Sequence, residues 1–409
     1  MVITFVSNYI NHHQIPFCKE MAGYGEGVEF RFVQTMPMEQ KRIDMGWAVD
    51  PADYPFVSLY YEDKRACEDL ILNSDVTIFG WSEGIVKELE AKRLSSGKLS
   101  FRVSERIYRE GQWKMITPKG LINKYNEHIK YRNNPVYLLC AGAYVASDFN
   151  LIRSYPGKML KWGYFPVGNI DRYSKNIGEE SYSFQDEERK VGYPIRICWA
   201  GRLIDLKHPE FAVELAEKLK GHGYDFKMEI IGDGELKNDL ERSINEKGIE
   251  DKVVLTGGKK PAEVLEYMKT ADIFIFTSNY LEGWGAVVNE AMSCGCAVVA
   301  SQEAGAVPFL IESGVNGYTY SNGDFFDFYN KVLLLFEDRD KILEFGEKAK
   351  ETISELWNPR HAAVELIRFC TEFLSGKEPR PSMEGPMSAA EIIKPAGFLR
   401  TLQEKNQLE

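Results

Sequence analysis

The sequence contains no long hydrophobic run and no grouping of cysteines typical of a metal site. None of its apolar stretches reaches the roughly 18 residues that a membrane-spanning helix needs, and Met1 leads directly into a strand-like segment rather than a signal peptide. The seven cysteines are scattered, and no pair has zinc-ligand spacing supported by a second pair. We therefore expect buried thiols in a reducing compartment, in a chain that is neither secreted nor membrane-spanning.

A dinucleotide signature and an excess of positive charge are also lacking. The first loop of the chain, residues 7–14, has no G-x-G-x-x-G, which disfavours a dinucleotide cofactor, and the net charge of -11 disfavours nucleic acid as a partner. Residues 87–132 are the exception, with 12 Lys and Arg against 5 Glu and no Asp. A basic face of this kind suits an anionic membrane surface or a phosphorylated acceptor, and an ordinary solvated helical face is the alternative.

The 409 residues, of which 44% are hydrophobic and 27% charged, are typical of a soluble protein with two domains. Strand patterns alternate with helical ones, which indicates α/β domains with doubly wound parallel sheets. The polar stretch 172–192 has little apolar periodicity and is predicted to be an inter-domain linker. We predict an N-terminal domain over 1–171, a linker over 172–193, a C-terminal domain over 194–358, and a crossing helix with a tail over 359–409.

The segment 278–301 contains the most informative motif. A strand predicted at 272–276 is followed by a loop with Glu282 and Gly283-Trp284-Gly285, and then by a helix predicted over 286–294. Backbone amides at a helix N-terminus have no partner within the helix and suit a phosphate or pyrophosphate. The glycines on either side of Trp284 allow an anion to approach the backbone closely.

Two acidic and two basic side chains surround this predicted phosphate site. Glu282 and Glu290 are eight residues apart, about 12 Å if helical, which fits one carboxylate at each end of an elongated ligand better than two carboxylates acting on one bond. Another strand, at 195–200, ends in Gly201 and Arg202, and Lys207 precedes the next helix. These two cations are placed to hold a pyrophosphate.

The spacing Glu-x7-Glu, with Gly-Trp-Gly after the first Glu and Ala-Met-x-x-Gly-x-x-Val-Val-Ala after the second, resembles the donor-site signature of family-four retaining glycosyltransferases. The resemblance implies the GT-B fold, in which two Rossmann-like domains face each other across a cleft and a C-terminal helix crosses back to the first. By position, it assigns the transferred sugar to Glu282 and the ribose to Glu290. The remaining donor contacts that it implies are Gly201, Arg202, Lys207, Gly258, Gly283, Trp284 and Gly285, with Glu282, Arg202 and Lys207 as the catalytic set.

The acceptor side is less well defined by the resemblance. In similar proteins the loop after the first strand faces the cleft, so Asn11, His12 and His13 are candidate sugar or acceptor contacts. Many relatives have a catalytic histidine near Ser104, where this chain has Glu105 and Arg106 instead, and we expect one of them to take over part of that role. The D-x-D at 338–340 is interpreted as a cluster of charges at a helix end, and no metal is expected.

The predicted function is metal-independent transfer of a sugar, with retention, from a UDP- or GDP-sugar to a saccharide or a lipid-linked saccharide. This would serve polysaccharide or glycolipid assembly, in the cytoplasm or on the inner membrane face. Two alternatives remain, a nucleotide-sugar epimerase of the same fold and a non-catalytic nucleotide-sugar binder. The tail over 375–409 is expected either to be ordered against the body or to be free.

Overall fold

A computed structural model describes residues 1–25, 27–43, 48–112, 117–166 and 193–395. The chain divides into two compact units, the first formed by Met1–Pro166 with Leu356–Glu409 and the second by Val167–Glu355. Each unit contains one parallel sheet with helices packed on it. The linker predicted at 172–192 lies outside the described residues.

The sheet of the first unit has seven parallel strands in the order β3-β2-β1-β4-β5-β6-β7. Its central strands are almost wholly buried and are rich in Val, Ile and Phe, as expected for strands covered on both faces. The strands are β1 Val2–Ser7, β2 Glu29–Gln34, β3 Val57–Leu59, β4 Val76–Phe79, β5 Ser100–Ser104, β6 Val136–Ala141 and β7 Met159–Trp162. The helices between them are α1 Ile15–Ala22, α2 Lys64–Asn73, α3 Lys87–Ser95, α4 Pro118–Glu127 and α5 Val145–Leu151.

The sheet of the second unit has six parallel strands in the order β10-β9-β8-β11-β12-β13. The chain order reverses between β8 and β11, and in open α/β sheets ligands bind at the carboxyl ends of the strands at such a point. The strands are β8 Ile195–Ala200, β9 Phe226–Ile231, β10 Val253–Gly257, β11 Ile273–Phe276, β12 Ala297–Ser301 and β13 Tyr318–Tyr320. The helices are α6 Glu210–Gly221, α7 Lys237–Glu246, α8 Pro261–Thr270, α9 Ala286–Ser293, α10 Val307–Leu310, α11 Phe325–Glu337 and α12 Arg339–Glu351.

After the second unit the chain returns to the first. Helix α13, Pro359–Leu374, packs against α1, and the Phe369 ring lies 5.8 Å from that of Phe101 and 4.9 Å from that of Tyr137, between centroids. The following residues run antiparallel beside β7, where the Lys161 amide donates to the Ser388 carbonyl at 2.7 Å. The predicted crossing helix is thereby confirmed, and the tail is ordered against the first unit as far as residue 395.

Part of the positive charge in residues 87–132 is taken into the first unit. Arg93 is fully buried, and its guanidinium donates to the Ser100 hydroxyl and to four backbone carbonyls at 2.6–3.0 Å. Arg102 forms an ion pair with Glu90 at 2.9 Å, with 17% of each side chain exposed. The basic surface is consequently smaller than the sequence suggests. None of the helices in the described part of the chain is long and apolar enough to span a membrane.

Candidate active site

The loop between β11 and α9 is positioned by a glycine that no other residue could replace without rearrangement. Gly285, the N-cap of α9, has φ 92°, in the left-handed region, and a Cβ added there would lie 2.7 Å from Cζ of Phe276. This turn leads the chain from the carboxyl end of β11 into α9. The first amides of the helix therefore point outward beside Glu282 and Gly283.

Lys207 and Glu282, which the sequence predicts to bind different parts of one ligand, are in direct contact. The Lys207 ammonium donates to a carboxylate oxygen of Glu282 in an ion pair, with 16% and 15% of the side chains exposed. Arg202 lies on the same loop as Lys207 and is exposed, and its guanidinium makes no hydrogen bond or ion pair with any described residue. The structure thus brings together a paired cation, a free cation and a helix N-terminus.

The backbone of Lys207 is fixed by a chain of hydrogen bonds from the sheet. The Trp199 indole donates to the Thr277 hydroxyl at 2.7 Å, and that hydroxyl donates to the Lys207 carbonyl at 2.6 Å. A further bond, from the Asn279 amide to the Leu206 carbonyl at 2.9 Å, joins the same two loops. Thr277 was not predicted as a site residue, because its position after β11 was the only sequence feature that pointed to it.

Glycines allow the loops after β8 and β9 to lie in contact. A Cβ on Gly232 would lie 1.8 Å from the Gly201 carbonyl oxygen, and one on Gly234 would lie 2.4 Å from that of Leu203. The Gly232 amide donates to the Gly257 carbonyl at 3.0 Å, next to Gly258 in the following loop. The Gly-Asp-Gly turn at 232–234 is therefore a packing element that holds the Arg202 loop.

Glu290 lies on α9 and is partly buried. Burial raises the pKa of its carboxyl to about 7. No hydrogen bond or ion pair joins that carboxyl to the rest of the described chain. A carboxyl group of this kind can accept hydrogen bonds from neutral hydroxyls, as a ribose contact requires.

The Trp284 side chain is turned into the core, so the predicted donor contact at this position is left to its backbone. The ring is only 2% exposed, and its Nε1 donates to the Asn289 side-chain oxygen at 2.8 Å. Its ring lies 6.3 Å from that of Phe309 between centroids, with the planes inclined by 56°, and the Trp284 carbonyl accepts from the Ala306 amide at 2.9 Å. Trp284 consequently supports the loop from the core and offers a ligand its backbone at most.

The acceptor-side candidates of the first unit lie in two places. Asn11 is part of its own turn, where its side-chain oxygen accepts from the His13 amide at 3.0 Å. The rings of His12 and His13 are 3.9 Å apart between centroids. Burial, with the nearby charge of Arg42, lowers the pKa of His12 to about 4, and burial with His12 and Arg42 lowers that of His13 to about 3. Both imidazoles are therefore neutral at pH 7.

Glu105 and Arg106 have different surroundings. Glu105 accepts a hydrogen bond from the Tyr164 hydroxyl at 2.8 Å and forms an ion pair with Arg109, and it is partly exposed. The Arg106 side chain is only 8% exposed and is held by the fully buried Asp148 at 3.2 Å. This ion pair, which sequence reasoning missed, makes Arg106 a structural residue rather than a substitute for a catalytic histidine.

The D-x-D at 338–340 is part of a helix end. The Asp338 side chain caps α12 by accepting from the Lys341 amide at 3.4 Å. Within the described ranges no three His, Cys, Asp or Glu side chains are grouped as a metal site would need. The interpretation of 338–340 as a helix-end charge cluster is confirmed by the cap.

Residues 183–352 match the model of the family described as "Glycosyl transferases group 1". Over this region the chain is similar to the group 1 glycosyl transferases, and the match includes residues 282–300 and so confirms the resemblance that they carry. The amylovoran biosynthesis glycosyltransferase AmsK of Erwinia amylovora is 37% identical over 177 residues, or 42% of this chain and 43% of that protein. The poly(ribitol-phosphate) alpha-N-acetylglucosaminyltransferase of Staphylococcus aureus is 32% identical over 158 residues, or 38% of this chain and 31% of that protein. The matched region thus spans less than half the length of these relatives.

Solved structures extend the similarity to both units. The structure of Anabaena Alr3699/HepE in complex with UDP has a TM-score of 0.65 and 16% identity, covering 92% of this chain and 100% of that chain. The complex of the same protein with UDP and glucose has a TM-score of 0.61 and 15% identity over the same shares. At this identity the likeness defines the fold alone, and the fold is GT-B, with two Rossmann-like parallel sheets.

Proposed function

We propose that the protein transfers a sugar from a nucleoside diphosphate sugar to a hydroxyl group of an acceptor. The observation that carries the proposal is the arrangement of Arg202 and the Lys207–Glu282 pair beside the N-terminus of α9. The exposed guanidinium and the α9 amides suit the diphosphate, which leaves as an anion when the glycosidic bond breaks. Since Alr3699/HepE, a protein of the same fold, is described in complex with UDP-glucose, UDP is the first donor nucleotide to test, with GDP as the alternative.

Each site residue has a distinct role in this proposal. Glu282 orients the transferred sugar through its hydroxyls, and Lys207 shares its charge between Glu282 and the diphosphate. Arg202 binds the diphosphate with the planar fork of its guanidinium. Glu290 accepts hydrogen bonds from the ribose hydroxyls. The backbone at Gly201, Gly258, Gly283 and Gly285 allows the nucleotide to approach closely.

The transfer is proposed to retain the configuration of the anomeric carbon and to need no metal ion. Retention follows the resemblance to family-four enzymes, through displacement on the same face of the sugar. Metal independence is supported by Arg202 and Lys207, because two cations supply the positive charge that a departing diphosphate requires. The acceptor is proposed to be a saccharide or lipid-linked saccharide in polysaccharide or glycolipid assembly, in keeping with the biosynthetic name of AmsK.

A transfer assay with a matched arginine control tests this function. The donor nucleotide is first identified by the thermal shift that UDP, GDP and ADP produce, since binding stabilises the folded state. Glu282→Ala is expected to abolish transfer with an unchanged circular dichroism spectrum, and Arg202→Ala to weaken nucleotide binding about 10- to 100-fold. Arg242→Ala, which removes an exposed arginine of α7, should change neither. Full transfer by Glu282→Ala contradicts the proposal, and donor turnover without any acceptor favours the epimerase.

Peripheral binding to an anionic membrane is proposed for the exposed face of α4. Leu121, Ile122 and Tyr125 are 42%, 63% and 55% exposed there, beside the exposed Lys119. Apolar side chains flanked by lysine on a surface helix suit the interface of an anionic bilayer. Such binding would place the enzyme on the inner membrane face.

Vesicles test this membrane proposal. The protein should sediment at low salt with vesicles that contain phosphatidylglycerol. Ile122→Glu should reduce the bound fraction several-fold, because it places a like charge against the lipid. Leu334→Glu, at a position that is 39% exposed on α11, should leave the bound fraction unchanged. If the wild-type protein remains in the supernatant at low salt, the membrane proposal is wrong.

A further inference from the structure

Two aromatic rings that the predicted site does not include lie together at the carboxyl end of the first sheet. Trp81 follows β4 and Tyr164 follows β7, and their ring centroids are 6.0 Å apart with the planes inclined by 29°. Both side chains are partly exposed rather than buried with the core of this unit. Because β4 lies beside β1, the pair is next to the loop that carries His12 and His13.

The Trp81 backbone is held against β1. The hydroxyl of Ser7, the last residue of β1, donates to the Trp81 carbonyl at 3.3 Å. A Cβ on the preceding Gly80 would lie 3.0 Å from the Phe5 ring and 3.1 Å from the Ser7 hydroxyl, so this segment lies as close to β1 as a glycine allows. The backbone that carries the indole is thereby fixed before any ligand arrives, which lowers the ordering cost of binding.

Polar groups surround the Tyr164 ring. Its hydroxyl donates to Glu105 at 2.8 Å, and Glu105 is also ion-paired with Arg109. The His13 ring lies 6.0 Å from that of Tyr164, and the His12 ring lies 3.9 Å from that of His13, between centroids. The aromatic faces are thus bordered by a carboxylate, a guanidinium and two neutral imidazoles, all of which can exchange hydrogen bonds with hydroxyl groups.

We propose that Trp81 and Tyr164 form a platform that binds one pyranose ring of an uncharged saccharide acceptor, with Glu105 accepting hydrogen bonds from its hydroxyls. One face of a pyranose consists of C–H groups, which are apolar and slightly positive, and an aromatic ring has a negative face that complements them. The equatorial hydroxyls at the rim of the sugar meet the polar border. Aromatic surfaces with a few placed polar groups are typical of small-ligand recognition.

The charges around the platform favour a neutral sugar over a phosphorylated one. The carboxylate of Glu105 is balanced by Arg109, and the pKa values of His12 and His13 are too low for either to carry a positive charge at pH 7. Arg106 is already paired with Asp148, and Arg42 adds a positive charge near His12 and His13. A phosphate placed against Glu105 would be repelled by the carboxylate, which disfavours a phosphorylated sugar at this rim of the platform.

This inference rests on the proposed function and defines the substrate class of its acceptor side. The binding test uses saturation-transfer NMR with the methyl glycosides of glucose, galactose, mannose and N-acetylglucosamine at millimolar concentration, and with glucose 6-phosphate. We expect at least one methyl glycoside to bind the wild-type protein and glucose 6-phosphate to bind no better. Trp81→Leu should weaken that binding at least tenfold, whereas Trp81→Phe, which keeps an aromatic face, should retain most of it.

Steady-state kinetics show whether a variant impairs acceptor binding or the whole fold. They also distinguish a failure of this inference from a failure of the proposed function. Tyr164→Phe keeps the ring and removes the hydrogen bond to Glu105, so it should raise the acceptor KM several-fold with the donor KM unchanged. Tyr24→Ala, at an exposed tyrosine of the same unit, is the matched control and should change neither constant. If UDP binds all variants equally but no methyl glycoside binds, or binding does not depend on Trp81, the platform is wrong while the proposed function stands. If no nucleoside diphosphate binds the wild-type protein, the proposed function itself fails.

Discussion

The Lys207 ammonium and the Glu282 carboxylate form an ion pair across two loops of the second unit, with less than one fifth of either side chain exposed. Their partners in the proposed reaction are different, a diphosphate for the lysine and sugar hydroxyls for the glutamate. A bound donor must therefore either break the ion pair or contact both side chains while the pair remains. The pair also keeps each charge compensated without a ligand, which lowers the cost of holding both in a partly buried site.

The first prediction concerns the stability of this pair. Lys207→Met and Glu282→Gln should each lower the free energy of unfolding by about 1–3 kcal/mol, because each leaves the other charge partly buried without its partner. The double variant should be closer to the wild type than the sum of the two losses. Chemical denaturation of all four proteins measures the coupling. If the two losses simply add, the pair makes no net contribution.

The second prediction concerns Glu290 and pH. Its folded-state pKa of about 7 is raised above the ordinary 4.5, so the favourable neutral form is fully present below 4.5 and is lost as pH rises through 7. The Glu290→Gln variant should therefore gain stability over the wild type between pH 4.5 and 7, by up to about 3 kcal/mol, with no further gain above 7. Thermal unfolding of both proteins from pH 4 to 9 measures this difference.

If Glu290 binds the ribose as proposed, the same substitution should also change nucleotide binding. The ionised carboxylate is the better acceptor for ribose hydroxyls, so UDP affinity of the wild type relative to Glu290→Gln should increase as pH rises through 7. Isothermal titration of both proteins at pH 6 and pH 8 measures the ratio. A ratio that does not depend on pH contradicts a ribose contact through this carboxyl.

The third prediction concerns the contact between two loops. Gly232→Ala should destabilise the second unit by about 1–3 kcal/mol and weaken nucleotide binding, because its Cβ would lie 1.8 Å from the Gly201 carbonyl oxygen and displace the Arg202 loop. Gly221→Ala at the end of α6 has no atom within 4 Å of the added Cβ and should be neutral or slightly stabilising. Thermal unfolding and UDP titration of the two variants provide the comparison.

The fourth prediction concerns the segment beside β7. Met387 is fully buried and its amide donates to the Lys161 carbonyl at 2.9 Å, whereas Met383, four residues earlier, is fully exposed. Met387→Ala should cost about 2–5 kcal/mol and expose the segment to proteolysis, since it leaves a cavity in the first unit. Met383→Ala should behave as the wild type. Equal cleavage rates in limited proteolysis would contradict a fixed tail.

The strands that carry the proposed donor-side residues in the second unit were more predictable from sequence than those around the proposed acceptor side in the first. The strands β8 and β11 are nearly continuous runs of apolar residues and are easy to recognise. A recognisable motif follows each of them, with Arg202 and Lys207 after β8 and with Glu282 and Glu290 after β11. The short strands β3 and β7 lack such a run, because only three or four residues of each are paired, and they were not predicted. Tyr164 follows one of these missed strands and could not be placed near Trp81 without it.

The burial of charged and aromatic side chains was also not predictable from the sequence. Arg93 and Arg106 were counted with a basic surface, but carbonyl groups and Asp148 that are distant in sequence take them into the interior. For Trp284 the sequence predicted only a donor contact beside two glycines, and the structure adds that its indole is held in the core by Asn289, five residues further on. Nothing in the local pattern distinguishes an indole that lines a site from one that supports it from behind.

The pairing of the final segment with β7 has a consequence for synthesis on the ribosome. The first sheet acquires its outer neighbour and its supporting helix α13 only from residues that follow the whole of Val167–Glu355. At translation rates of about 5–20 residues per second, synthesis of the intervening residues takes roughly 10–40 s, during which the N-terminal strands have no α13 to pack against. The second unit can complete its fold during that interval, whereas the first remains an unfinished sheet with an open edge and would be the natural client of a chaperone.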